Sequence, residues 1–251
     1  MLDYLCFAPH PDDAELGMGG TLITLADQGA AVGICDLTDG EPTPNGSPEI
    51  RAAETAAATR EMGPITRVQL DLPNRYVEHT MDTRRKVAEV IRELKPTVIF
   101  VPYFEDAHPD HLAVTSILES ARFHAKLTKT DMAGEPHYPS RIVYYYASHL
   151  FIVPQPSFCV DVTAAYPRKV AAINAYQSQF YTNRGPMAGA VLEYLRKRDA
   201  YFGSLTGTLF AEPFFVREPL GLKSLRDLTH GADAVQRYTQ AGGSLGAANS
   251  Q

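Results

Sequence analysis

Two short clusters of imidazoles and carboxylates stand out in the sequence: His10-Pro11-Asp12-Asp13-Ala14-Glu15 and His108-Pro109-Asp110-His111. Each follows an apolar run that reads as a β-strand. Groups this polar at the ends of buried strands are costly unless something compensates them, and a divalent metal does so directly. His10 and Asp13 are three residues apart, as are His108 and His111. In a tight turn or a first helical turn, that spacing aims two side chains at one point.

His10, Asp13 and His111 make an N/O/N ligand set with positions left for water and substrate, the pattern of a catalytic zinc rather than a structural one. Asp12, beside the ligands but not needed as one, is the candidate general base. His108 is placed to stabilise a tetrahedral oxyanion and protonate a leaving amine, with Asp110 holding its imidazole in the right tautomer. Glu15 suits a supporting or helix N-terminal role. Two histidines and one carboxylate also describe non-haem iron oxygenases, and Fe2+ or another divalent ion in a hydrolytic role stays open. Taken singly, either aspartate reads equally well as a helix cap and either histidine as a surface residue. Two such clusters at matching strand ends favour the metal reading.

The elements that must position these groups alternate along the chain. Strands are predicted over 2–8, 31–37, 67–72, 97–102, 141–146 and 157–162. Helices are predicted over 21–28, 49–62, 82–94, 112–124, 166–179 and 189–202. This alternation argues an α/β fold with a mainly parallel central sheet and right-handed crossovers. Ligands in such a sheet bind beyond the carboxyl ends of the strands where the strand order reverses, and the first and fourth strands flank that reversal. Both polar clusters fall there. The loop over 41–48 is long enough to work at the site, while 125–140 is predicted as a mobile surface loop. One domain over 1–228 and a poorly packed polar tail over 229–251 are expected.

Composition narrows the function. The 251 residues are 45% apolar and 21% charged, with a net charge of −6, which argues against a nucleic-acid partner. No apolar run reaches membrane-spanning length, and the opening residues do not form a signal peptide. Cys6, Cys35 and Cys159 each sit in apolar strand-like sequence and read as buried reduced thiols of a cytoplasmic protein. Gly17-Met18-Gly19-Gly20 is not G-x-G-x-x-G, and acidic groups lie where a pyrophosphate would sit, so no nicotinamide cofactor is expected. Those glycines instead suit close approach of a helix to the sheet. Arg51, Asn74 and Arg75 follow loops at the same sheet edge and are candidate substrate ligands. His149, just past the fifth strand, is within reach of the site but reads more simply as a surface residue. Lys169, Tyr176, Gln179 and Arg198 read as surface or packing residues.

The clusters, together with Gly17-Met18-Gly19-Gly20-Thr21, resemble the two signatures of the LmbE-like (PIG-L) N-acetylglucosamine deacetylase family. Scattered matches, including Leu72-Pro73-Asn74-Arg75, Val143-Tyr144-Tyr145-Tyr146 and Asn174 to Phe180, are most similar to the branch that deacetylates N-acetylglucosaminyl-malate in bacillithiol biosynthesis. The likeness covers roughly residues 3 to 220. It implies a Rossmann-like three-layer sandwich and a zinc-dependent hydrolase that removes acetate from an N-acetylated amino sugar. Carried over, His10, Asp13 and His111 match the metal ligands, Asp12 the base, His108 the oxyanion-assisting histidine and Asp110 its partner. Arg51 matches a substrate-binding arginine. The branch implies a homo-oligomer, with a hexamer as one form, and a small amino-sugar substrate. Ala14 intervenes where the family more often has Glu directly after the aspartate pair. Loops 125–140 and 181–190 match poorly, which leaves the aglycone open; chitobiose-type or thiol conjugates are the alternatives to malate.

Overall fold

Leu5 and Phe7 of the first strand pack into one core and Cys6 and Ala8 into another, and all four are fully buried. A strand covered on both faces needs helices above and below, and the chain supplies them. The computed structural model describes residues 1–150 and 154–221. In it, β1 (Tyr4–Ala8), β2 (Val32–Asp36), β3 (Thr66–Gln69), β4 (Val98–Pro102), β5 (Arg141–Tyr145), β6 (Phe158–Asp161) and β7 (Ala211–Phe215) form one sheet in the order β3-β2-β1-β4-β5-β7-β6. β1, β2, β3, β4 and β5 pair in parallel, whereas β7 runs antiparallel between β5 and β6. The sheet order reverses at the β1–β4 pair, as expected.

Helices α1 (Asp13–Asp27), α2 (Pro48–Met62) and α5 (Tyr166–Asn174) cover one face, packing Leu22, Ile23, Ala58, Met62 and Ala172 against Ile34, Val143 and Tyr145. Helices α3 (Met81–Leu94) and α4 (Pro109–Ala125) cover the other with Val87, Ile91, Val114 and Ile117. α6 (Gln177–Phe180) and α7 (Ala190–Thr206) follow α5. The caps are written in the sequence. Ser47 accepts from Ile50 N ahead of Pro48, and Thr80 with Thr83 makes a capping box for α3. Gly20 lets α1 lie against the sheet, since a Cβ there would stand 2.7 Å from Val162 Cβ.

Four expectations change. α1 starts at Asp13 rather than at 21, because its first turn buries Asp13, Ala14, Glu15 and Leu16 instead of exposing a polar face. The segment over 166–179 breaks at Ala175–Tyr176 into α5 and α6. β7 is an addition: Pro213 and Glu212 lie within it, and proline in an apolar run argues against a strand. Glu212 is tolerated there because Lys169 Nζ lies 2.7 Å from its Oε1. Finally, the segment over 125–140 is tied down. Buried Arg92 donates from Nε to Ala125 O at 3.0 Å, from Nη1 to Met132 O at 3.0 Å, and from Nη2 to Leu127 O. The expected tail over 229–251 lies outside the described residues.

Candidate active site

Asp12 sits in the turn between β1 and α1 with φ 114°, a conformation that non-glycine residues rarely adopt. Such strain is retained where the surroundings over-determine it, commonly at functional sites. The turn is closed by Asp13 N to His10 O at 3.2 Å and by His10 N to Asp13 Oδ2 at 3.0 Å. At the end of β4, His108 is the N-cap of α4, Pro109 opens the helix, and Asp110 and His111 complete its first turn.

Because β1 and β4 are neighbours, the two turns meet. His10 Nδ1 lies 3.0 Å and His111 Nε2 3.3 Å from the same oxygen, Asp13 Oδ2. The ligand atoms of His10, Asp13 and His111 all fall within 4.8 Å of one another. The far nitrogens are held by carboxylates: His10 Nε2 by Asp110 Oδ2 and His111 Nδ1 by Asp106 Oδ2, both at 3.0 Å. Carboxylate-backed imidazoles converging with a third carboxylate are the donor set that a divalent cation such as zinc takes, so the residues fit the metal.

The charges agree. Burial lowers the basicity of His10 and His111, but their carboxylate partners outweigh it and raise them to about 9 and about 10. Asp13 is held well below the usual carboxylate range by the two imidazoles despite its burial. Without a cation, protons therefore neutralise this centre. Burial raises Asp12 to about 7, against the nearby Arg51 guanidinium and helped by Asp13 and Glu15.

Asp110 does not act on His108 as expected. Its carboxylate accepts from His10 and from the main-chain N–H groups of Arg75 (2.7 Å) and Val77 (3.3 Å). It is the Asp110 main-chain N–H that donates to His108 Nδ1, at 3.2 Å. The reason is local: His108 caps the helix, so its ring faces the free amides of the first turn.

The site opens into a cavity of about 520 Å³ lined by His10, Asp12, Asp13, His108, His111, Arg51, Asn74 and Arg75. Every candidate except Asp110, which works from behind, thus reaches one cavity. Arg51 is buried, with Nη1 3.4 Å from Asp12 Oδ2, yet its Nε and Nη1 lack hydrogen-bond partners. The pairing is electrostatic and leaves donors for a ligand. Tyr176 stacks beneath this guanidinium at 5.5 Å and donates to Glu15 Oε1 at 2.9 Å. Glu15 in turn accepts from Arg67, which also grips Asp36.

Several residues that read as surface or packing positions in the sequence border or support the site. His149 is exposed, as read, and it also lines the cavity, its ring centroid 6.0 Å from that of His108. Gln179 lines it too, while Lys169, Tyr176 and Arg198 are buried in polar networks rather than at the surface. Sequence reasoning misses Asp106 and Arg67 altogether. A carboxylate shortly before a ligand histidine is the available signal for Asp106; Arg67 carries none, because it lies in a strand far along the chain.

With this geometry in place, the comparisons are consistent. The profile of the PIG-L family, described as GlcNAc-PI de-N-acetylase, matches residues 5–122, which include both clusters. A diacetylchitobiose deacetylase of Thermococcus kodakarensis is 28% identical over 225 residues, 83% of this chain and 80% of that one. A probable N-acetyl-alpha-D-glucosaminyl L-malate deacetylase 2 of Bacillus cereus is 26% identical, over 68% of this chain and 80% of its own. The crystal structure of the conserved protein TT1542 from Thermus thermophilus superposes with a TM-score of 0.80 at 38% identity, covering 88% of this chain and 97% of that one. The paired polar turns, the sheet that joins them and these relatives lead to one assignment: residues 5–122 form a PIG-L family domain, and the chain is similar to deacetylases of N-acetylglucosamine conjugates.

Proposed function

We propose that the protein hydrolyses the acetamide of an N-acetylglucosamine conjugate, with zinc held by His10, Asp13 and His111, and that the favoured conjugate is N-acetylglucosaminyl malate. The observation that carries this reading is the open His–Asp–His donor set with Asp12 beside it on one cavity wall. A zinc ion there supplies Lewis acidity towards the acetamide carbonyl and acidifies water. Asp12, raised to about 7 in the metal-free site, accepts the proton of the attacking water. His108 accepts the Asp110 amide proton at Nδ1, so its neutral form carries the proton on Nε2. That N–H can donate a hydrogen bond to the carbonyl oxygen as it gains charge, while the proton that Asp12 takes from the water is the one that passes to the departing amine. Burial, together with proximity to His111 and His10, lowers His108 and keeps it neutral near pH 7. Arg51 offers its unpartnered Nε and Nη1 to sugar hydroxyls.

Malate is favoured by the Bacillus cereus relative and by the guanidiniums that line the cavity. A chitobiose-type conjugate is the second reading, supported by the Thermococcus kodakarensis relative. Acetate release from N-acetylglucosaminyl malate, N,N'-diacetylchitobiose and free N-acetylglucosamine, measured on protein of known zinc content, separates them. Turnover fastest on the malate conjugate is expected; no acetate from any of the three sinks the deacetylase reading.

A further inference from the structure

Three guanidiniums line the cavity, those of Arg51, Arg75 and Arg184, against the carboxylates of Asp12 and Asp13. Both acids are engaged: Asp13 with His10 and His111, Asp12 with Arg51. Arg75 and Arg184 form no ion pair among the described residues. Arg75 is held only by its main chain, through the bond from its N–H to Asp110 Oδ2. Arg184 uses Nε, which donates to Gln179 O at 2.9 Å. The terminal nitrogens of both are left for a ligand. On a chain of net charge −6, a cavity mouth carrying two uncompensated cations is a local inversion of sign.

The backbone conformation at each position sets where the arginine leaves the loop. Arg75 adopts φ 69°, beside Asn74, whose buried side chain lines the cavity without a protein partner among the described residues. Arg184 lies between Asn183 (φ 56°) and Gly185 (φ 51°). Its loop is fastened to the loop after β2, by Asn45 Nδ2 to Thr182 O at 3.0 Å and Asn183 Nδ2 to Asn45 Oδ1 at 3.1 Å. A guanidinium with free terminal nitrogens matches a carboxylate fork, and it binds that group better than it binds a sugar hydroxyl.

We infer that Arg75 and Arg184 are specificity-determining residues that select a carboxylate-bearing aglycone over a neutral one. This rests on the deacetylase reading above. The test is the ratio of kcat/KM for N-acetylglucosaminyl malate to that for N,N'-diacetylchitobiose, in the zinc enzyme and in Arg75→Gln, Arg184→Gln and Arg184→Lys. The glutamine variants should lower this ratio by about tenfold or more, through KM for the malate conjugate. Arg184→Lys should restore part of it, and added salt should lower the wild-type ratio. An unchanged ratio in both glutamine variants overturns the inference, as does a wild-type preference for the neutral conjugate. Acetate from neither conjugate is the separate failure of the deacetylase reading. In that event, calorimetric titration of zinc-loaded protein with the malate conjugate still tests the arginines: binding weakened in the glutamine variants supports them, and equal binding overturns them.

Discussion

Asp110 fixes His108 with its main-chain N–H, 3.2 Å from Nδ1, and leaves its carboxylate to His10. One residue at the second position of α4 thereby orients both a metal ligand and the hydrogen-bond donor to the oxyanion, through different atoms. Asp110→Asn keeps the amide and loses the charge behind His10. Metal affinity should fall by about 10- to 100-fold, since a removed carboxylate partner lowers ligand basicity. Competition with a chelator measures it. Unchanged affinity with a lost kcat would return the carboxylate to His108.

Asp12→Asn removes the base while leaving the three ligands intact. The expected loss in kcat is about 10²- to 10⁴-fold with zinc content unaltered. Turnover and metal analysis on the same preparation decide the point, and a variant near wild-type rate would exclude Asp12 as the base.

Arg51 owes its place to Gly40, which has φ 74° and where a Cβ would stand 2.8 Å from Arg51 Nε. Arg51→Lys should raise KM by removing the planar donor fork, and Gly40→Ala should raise it likewise without loss of zinc, besides costing about 1 kcal/mol for the strained backbone. Steady-state kinetics on the two variants tests the equivalence. A Gly40→Ala enzyme with wild-type KM would show that the guanidinium is not held by this contact.

The metal-free protein should lose stability progressively as pH rises from about 6.5 to about 10. His10 and His111 bind protons more tightly folded, at about 9 and about 10, than at the ordinary 6.5 of an unfolded histidine. Their contribution is full below 6.5 and lost as pH climbs through the folded values. The same protons must leave when a cation binds, so zinc affinity should rise with pH. Thermal unfolding of the apoprotein and calorimetry in buffers of different ionisation enthalpy give both readings. An apoprotein melting temperature that climbs over this range contradicts the assignment.

The parts of this architecture that are legible in the sequence are those governed by local pattern. Continuous apolar runs such as Val98–Pro102 and capped amphipathic stretches such as Met81–Leu94 announce themselves. The two polar clusters are conspicuous because charge at a strand end has few uses. What escapes is what depends on distant partners. Glu212 finds its compensation only in Lys169, 43 residues away in sequence, and Arg67 finds its role only where Glu15 and Asp36 close on it, pairings that no local pattern announces. The division of labour within Asp110 is likewise invisible, since spacing does not distinguish an amide from a carboxylate.

The last prediction concerns the break in α1. Met18 leaves helical geometry (φ −150°, ψ 22°), so the N–H groups of Gly20 and Thr21, which a regular helix would bond to Leu16 and Gly17, go elsewhere. Glu212 accepts both, at 3.0 and 2.7 Å, and Arg198 Nη2 reaches the freed Leu16 carbonyl at 2.9 Å. Lys169 and Asp199 complete the buried charge set, with Lys169 Nζ 2.6 Å from Asp199 Oδ2. The turn held this way carries Asp12 and Asp13. Glu212→Gln keeps the shape but strips one charge from a buried pair, which typically costs about 3–5 kcal/mol. Arg198→Met frees the Leu16 carbonyl and should reduce metal affinity as well as stability, because the ligand turn loses its anchor. Denaturant unfolding and zinc titration of both variants test this. Full zinc affinity in a folded Arg198→Met protein would show that the turn holds its shape without α7.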